Sequence, residues 1–336
     1  MRAALLEARK GLGKTSPNPA VGAVVVCEGK IIARGHHRQS GAPHAEIECL
    51  AKVPRSQLTR SILYATLEPC STKGRTGACT TAIVQSGIRT VVVGAIDPNP
   101  RHRGKGLKIL EAAGIQVRQG ILADECVALN EAFNKWIVTK RPFVIAKCGM
   151  SLDGRLSRPP GELQSITGAA ARQHARGLRA VVDAILVGAE TVRKDNPRLT
   201  VRGIHGARQP WRVILTRSGQ LPRHARLFTD RYAAQTVVYR RKLLHAVLDD
   251  LGRRQITSVL IEGGGEILSE ALDRRLIDKI EIYVGPILSG GPIIAFAGSG
   301  AASTAQSARL ENVAFTRVGE TIWVSGYPKF GGFRFE

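Results

Sequence analysis

The chain has 336 residues and a formal net charge of +22, with 49 Lys and Arg against 27 Asp and Glu; that length exceeds one typical domain and suits two, each able to bury a core. Hydrophobic residues make up 43%, and no apolar run is long enough to cross a bilayer, which excludes a membrane-spanning class. Six cysteines in a chain this long do not make a disulfide framework; two of them are better explained as thiolate ligands in a reducing cytosol.

Residues 1–11, MRAALLEARKG, read as an amphipathic helix with Ala4, Leu5, Ala8 and Leu12 on one face. The segment contains Glu7 and lacks the apolar core of a signal peptide, so a cytoplasmic protein is expected. Thr15-Ser16-Pro17-Asn18-Pro19 breaks the helix. A buried strand at 20–27, a tight turn at Glu28-Gly29-Lys30 and a returning strand at 31–35 follow. The loop 36–43 delivers His44 to a helix at 45–51, whose positive N-terminal end favours anionic ligands. A central strand at 61–66 ends in Leu67-Glu68-Pro69-Cys70, at the carboxyl edge where open α/β sheets place their sites. Residues 76–86 form a helix carrying Cys79, 89–95 a strand, 107–113 a helix, 115–118 a short strand and 123–140 a long helix. This alternation argues a layered α/β domain.

His44, Cys70 and Cys79 can supply three ligands to a tetrahedral zinc, leaving the fourth position open to water. Zinc lowers the pKa of a bound water from about 15.7 to about 7. Glu46 is not needed as a ligand and can carry a proton from the water to a leaving amine. This His-x-Glu…Pro-Cys pattern is the established signature of zinc deaminases of nucleobases, although eight residues here separate Cys70 from Cys79. A purely structural zinc is the competing reading. It would need a fourth protein ligand, which Cys49 or His37 could offer, and would leave Glu46 idle. Cys27, Cys49, Cys126 and Cys148 otherwise read as small core hydrophobes.

Thr139-Lys140-Arg141-Pro142 marks a boundary, with Pro142 ending the helix. The expected domains are 1–140 and 141–336. In the second, 143–148 is a strand, and Thr167 is the expected N-cap of a helix at 169–178. A strand at 183–187 and a short helix after Gly188 lead through Asp195-Asn196-Pro197 into a strand at 199–202. Strands at 212–215, 236–239 and 258–261 follow. Glu262-Gly263-Gly264-Gly265 opens a helix through Leu272, and strands at 279–284, 311–318 and 321–325 close the chain. Glycines between a strand and a helix suit a dinucleotide phosphate, because bare N–H groups face the anion. The run is not GxGxxG, and a helix start that needs small residues for packing would look the same.

The stretches TSPNPAVGAVVV, GHHRQSGAPHAE, LEPCSTKGRTGAC and DPNPRHRGKGL resemble the deaminase half of the bifunctional riboflavin-biosynthesis deaminase/reductase family. KCGMSLDGR, LRAVVDAILVGAETVRKDNPRLTVR and IEGGGEIL resemble its reductase half, so the resemblance covers the whole chain. It implies an N-terminal cytidine-deaminase-like α/β/α domain and a C-terminal dihydrofolate-reductase-like α/β domain. It implies zinc-dependent deamination of 2,5-diamino-6-ribosylamino-4(3H)-pyrimidinone 5′-phosphate, then NADPH-dependent reduction to 5-amino-6-(5-phosphoribitylamino)uracil. Carried onto this chain, it makes His44, Cys70 and Cys79 the zinc ligands and Glu46 the proton shuttle. Asn18 and His37 would hold the pyrimidine, and Arg75 the phosphate. Lys147, Arg179, Asp195, Leu199, Arg202 and Glu262 would line the second substrate site, with Asp195 meeting a ribose hydroxyl. Ser165, Thr167, Gly188, Thr191, Gly263, Gly264 and Gly265 would lie along NADPH. Thr72 stands where the family usually carries His, Gly77-Ala78 where it carries Pro-Pro, and Ser165 where it often carries Trp; Leu163 also departs. None removes a zinc ligand or Glu46.

The charge keeps another reading open: a deaminase of tRNA or another polynucleotide with an appended binding domain. Yet Arg and Lys are scattered, and aromatics at 5% offer few platforms for stacking bases. A basic surface that attracts phosphorylated small molecules, or an Arg-rich compositional bias, accounts for the charge as well. A non-catalytic, zinc-stabilised binding protein is the third reading. The expected partner is a phosphorylated pyrimidine rather than nucleic acid or membrane, and a homo-oligomer is compatible with the chain.

Overall fold

A computed structural model describes residues 1–72, 77–156 and 165–331. The chain divides into two units, Met1–Lys140 and Arg141–Glu336. Lys140 ends the last helix of the first unit in a left-handed conformation, φ 60°, with its N–H on the Trp136 carbonyl. Among the described residues no helix is long and apolar enough to cross a membrane.

The first unit runs α1 (Arg2–Arg9), β1 (Gly22–Cys27), β2 (Lys30–His36), α2 (Ala45–Leu50), α3 (Arg55–Leu58), β3 (Ser61–Leu67), α4 (Cys79–Ser86), β4 (Thr90–Ala95), α5 (Lys105–Ala112), β5 (Gln116–Gln119), α6 (Ala123–Leu129) and α7 (Glu131–Thr139). Its sheet has the order β2-β1-β3-β4-β5. β1 is antiparallel to both neighbours, and β3, β4 and β5 are parallel. Two glycines show which face each helix covers. A Cβ on Gly22 would overlap the backbone of α1, and one on Gly35 would overlap that of α2. Gly35 pairs with Ala23, whose side chain points to the face opposite the one a Cβ on Gly22 would occupy. α1 and α2 therefore cover opposite faces, the α/β/α layering of this unit. Val25, Leu63, Val91 and Val93 are fully buried between the layers, each such side chain contributing about 1.5–3 kcal/mol.

The long helix expected at 123–140 is two helices. Asn130, 6% exposed, breaks it at φ −117°. Its side chain accepts the Ala20 N–H at 2.8 Å and donates to the Ala20 carbonyl at 2.9 Å, satisfying backbone groups that would otherwise be buried unpaired. Cys49, Cys126 and Cys148 are buried as expected of core cysteines, but Cys27, at the end of β1, is only half-buried.

The second unit runs β6 (Phe143–Ser151), α8 (Ala169–Leu178), β7 (Ala184–Gly188), α9 (Ala189–Asp195), β8 (Trp211–Thr216), α10 (Arg226–Thr229), β9 (Thr236–Arg240), α11 (Leu244–Arg253), β10 (Ser258–Glu262), α12 (Gly265–Asp273), β11 (Lys279–Gly285), β12 (Ala308–Val318) and β13 (Thr321–Phe330). The sheet order is β12-β13-β11-β6-β10-β7-β8-β9. From β11 to β9 all pairings are parallel, so those strands end on one edge; β12 and β13 close the other side antiparallel. α11 buries Leu244, Val247, Leu248 and Leu251, a helical stripe packed on the sheet.

Two local expectations fail. Residues 199–202 form no strand: the Gln209 side chain accepts the Val201 N–H at 2.9 Å and donates to its carbonyl at 3.1 Å, replacing a partner strand. The N-cap of α8 is Gly168, not Thr167, and no side chain caps it. Thr167 instead packs its methyl where Gly149 carries no side chain, and its carbonyl accepts Arg172 Nη1 at 2.6 Å.

Candidate active sites

In the first unit, three elements converge on one point. His44 precedes α2 in extended conformation, Cys70 follows β3, and Cys79 is the first residue of α4. His44 Nδ1 lies 3.2 Å from Cys79 Sγ and 3.6 Å from Cys70 Sγ. All three donor atoms lie within 4.8 Å of one another. Zn–N of about 2.0 Å and Zn–S of about 2.3 Å at a tetrahedral angle would separate such donors by about 3.6 Å. The N, S, S set therefore fits zinc in type and spacing. The backbone N–H of Cys79 donates to Cys70 Sγ at 3.3 Å. The hydrogen bond between the two thiols lowers the pKa of Cys70 and raises that of Cys79.

Glu46 sits in the first turn of α2, 3% exposed, and burial pushes its carboxyl above the ordinary range. His37 is 2% exposed, and burial lowers its pKa, leaving a neutral ring. Its Nδ1 meets the Pro43 carbonyl at 3.1 Å, its Nε2 meets Asn18 Nδ2 at 3.2 Å, and its ring stands edge-on to His44 at 5.1 Å. His37 thus packs beside the ligand His44, and Asn18 beside His37. Neither candidate for a fourth protein ligand serves as one. His37 is committed to these bonds, and burial pushes the Cys49 thiol up to about 12, outside the cluster. Arg75 lies outside the described residues; Thr72 is exposed.

Glu68, which sequence reasoning passed over, holds the loop after β4 against this site. Its carboxylate accepts the N–H groups of Asp97 at 3.2 Å, Gly104 at 2.9 Å and Gly106 at 2.9 Å. Glu68→Ala leaves those three donors, two of them buried, unpaired. It is expected to cost about 1–3 kcal/mol of stability and to raise KM for deamination more than it lowers kcat, as urea denaturation and steady-state kinetics would read.

The second unit carries a cleft of about 160 Å³ at the carboxyl edge of β6 and β10, lined by Lys147, Thr167, Arg179, Glu262, Tyr283 and others. Arg179 Nε and Nη2 grip Glu262 at 2.6 and 2.7 Å. Burial alone would raise the Glu262 carboxyl, but the Arg179 hydrogen bonds and charge outweigh it and hold the group below its ordinary range. Arg172 and Arg176 also face the cleft, so cations outnumber its carboxylate. Spaced four and three residues apart, Arg172, Arg176 and Arg179 share one helical face, a signal available in the sequence. Tyr283, 1% exposed with its hydroxyl 2.8 Å from His174 Nδ1, gave no such signal. Arg202 is exposed; partial burial and the nearby Arg176, Arg179 and Arg198 lower its pKa, marking a crowded cationic rim. Leu199 is 3% exposed with φ 49°, and Asp195 is exposed at the end of α9; neither lines the cleft.

The glycine candidates and Thr191 gather at the ends of β7 and β10. Gly263 and Gly264 adopt φ 84° and 82°, and a Cβ on Gly263 would lie 4.0 Å from Thr191 Oγ1. Gly188 abuts Ile267 of α12. This bare backbone before a nine-residue helix fits a dinucleotide pyrophosphate. Ser165 is half-buried in the segment leading to α8.

A three-ligand zinc site beside a buried carboxyl, on one α/β/α unit, defines a hydrolytic deaminase; the parallel sheet with its glycine run and cationic cleft defines a nucleotide-dependent reductase. Residues 1–95 match the cytidine and deoxycytidylate deaminase zinc-binding region, and residues 142–324 match the RibD C-terminal domain. Riboflavin biosynthesis protein RibD of Synechocystis is 39% identical over 314 residues, 87% of this chain and 84% of that one. The Escherichia coli protein is 34% identical over 322 residues, 86% and 88% respectively. The structure of Acinetobacter baumannii RibD superposes with TM-score 0.90 at 35% identity, covering 98% of this chain and 97% of that one. A deaminase/reductase structure from Thermotoga maritima gives 0.88 at 35% identity, with 98% and 97% covered. The chain belongs to the RibD family of riboflavin-biosynthesis proteins. It is a bifunctional enzyme, a zinc-dependent deaminase and an NADPH-dependent reductase.

Proposed function

We propose that the first unit deaminates 2,5-diamino-6-ribosylamino-4(3H)-pyrimidinone 5′-phosphate, and that the second reduces the ribosyl group of the product to ribityl. The observation that carries this reading is one chain holding both a buried proton carrier beside a His-Cys-Cys triad and a cationic cleft beside a glycine run. Zinc on His44, Cys70 and Cys79 supplies Lewis acidity toward water, and NADPH supplies the reducing equivalents.

The protein's own work in the first step is binding and proton transfer. Asn18 and His37 hold the pyrimidine edge, and Arg75 takes the phosphate. Glu46 accepts a proton from the attacking water and returns it to the amine, so that a C–O bond forms, the C–N bond breaks and ammonia leaves. In the second step Lys147, Arg179 and Glu262 orient the opened sugar; Asp195 and Leu199, which lie off the cleft, take no part in this role. Arg202, exposed beside Arg176, Arg179 and Arg198, takes the substrate's phosphate. Ser165, Thr167, Gly188, Thr191, Gly263, Gly264 and Gly265 hold the cofactor. The domains 1–140 and 141–336 each carry one activity, in the cytoplasm, on a small phosphorylated pyrimidine and not on nucleic acid.

Mass spectrometry of the zinc-loaded protein with the diaminopyrimidinone ribotide tests both steps. Amine-to-oxo exchange is expected with or without NADPH, and two added hydrogens only with it. No mass change in either sample would overturn the reading.

A further inference from the structure

Arg202 takes its position from the residues just before it. Thr200 and Val201 are buried, while Arg202 and the turn after it are exposed. The segment pairs with no strand, and side chains hold it from two sides. On the cleft side, the Thr200 carbonyl accepts Arg179 Nη1 at 3.3 Å, and Arg179 Nε and Nη2 grip Glu262. On the other side, Gln209 Oε1 accepts the Val201 N–H and Gln209 Nε2 donates to the Val201 carbonyl. Leu199 precedes them, buried, at φ 49°. A left-handed Leu is strained backbone, and such strain persists only where the surroundings hold it.

Gln209 is itself anchored. Arg208 Nη2 donates to Asp183 Oδ1 at 2.7 Å, and the Trp211 N–H donates to the Asp183 carbonyl at 2.8 Å. Pro210 stands between and biases Gln209 toward extended backbone. A terminal amide offers both an acceptor and donors, so one side chain can satisfy the N–H and the carbonyl of one residue. The anchoring bears directly on charge. Arg176, Arg179 and Arg198 lie near Arg202 and repel it. The fixed backbone of Val201 limits how far Arg202 can retreat from them.

We propose that Gln209 is a positioning residue for the second unit's substrate: through Val201 it holds Arg202 beside the other arginines, and so sets the preference for a phosphorylated over a dephosphorylated sugar. The proposal rests on Arg202 as the phosphate ligand. Steady-state NADPH oxidation with the deaminated ribotide and with its dephosphorylated ribonucleoside tests it. Gln209→Met, close in shape but without the amide, should raise KM for the ribotide by about tenfold or more. KM for NADPH and kcat/KM for the ribonucleoside should stay unchanged. Gln209→Asn, with the same amide on a shorter stem, should fall between and decides the matter if the Met variant does not fold. Arg202→Ala/Gln209→Met should lose no more preference than Arg202→Ala, because both act on one contact. Equal losses on the two substrates make Gln209 a structural brace and overturn the proposal. An unchanged preference in the Gln209 variants, beside its loss in Arg202→Ala, rejects Gln209 alone. A preference that survives Arg202→Ala rejects the phosphate ligand and the proposal together.

Discussion

Replacing Glu46 by Gln is expected to slow deamination by about 10²–10⁴-fold while leaving bound zinc and NADPH-dependent reduction of the deaminated ribotide intact. The amide keeps the shape of the side chain, and Glu46 is not among the clustered metal donors. The acid it replaces is buried two residues from His44, where water cannot readily relay protons in its place. Atomic absorption for zinc, ammonia release for the first step and NADPH oxidation for the second would separate the three quantities. A variant that still deaminates at the wild-type rate would mean that another group moves the proton. Loss of zinc would mean that Glu46 supports the ligands. Cys79→Ser removes a thiolate instead and should lose metal and deamination together.

The zinc cluster was legible from sequence because its parts are scarce and their chemistry is specific. One His and two Cys at the edges of recognisable elements leave few other arrangements, and folding brought those residues together. Most strands were legible too, since β1, β3, β4, β7 and β10 are apolar runs between turn residues. α11 carries a plain helical stripe in Leu244, Val247, Leu248 and Leu251, yet no element was expected between 239 and 258. The break at Asn130 was not legible, because its cause is a pair of hydrogen bonds to Ala20, 110 residues away. Residues 199–202 have strand-like composition, and only the fold shows that Gln209 satisfies their backbone. The same holds for Tyr283. Its place in the cleft follows from the pairing of β11 with β6, a tertiary choice with no local mark.

Breaking the Arg179–Glu262 pair should have the largest effect on the second unit. The two side chains are 14% and 10% exposed and joined by two short hydrogen bonds. Removing one partner leaves the other charge buried, so Arg179→Met or Glu262→Gln is expected to cost about 3–5 kcal/mol of stability and to abolish reduction. The pair also gives an acid-side dependence. Glu262 titrates below its ordinary 4.5 in the folded protein, so its contribution is full above that value and is lost as pH falls through the depressed folded pKa. Urea denaturation of Glu262→Gln between pH 7 and pH 3 should show a shallower acid-side loss than the wild type. Stability and function come apart in Arg179→Met/Glu262→Met, where no charge is left unpaired. Apolar replacement of a whole buried pair is often neutral, so this variant should regain most of the lost stability and still fail to reduce the ribotide. Reduction by the double variant would make the pair a structural brace, and would transfer orientation of the sugar to Lys147 and Tyr283 on the same cleft wall.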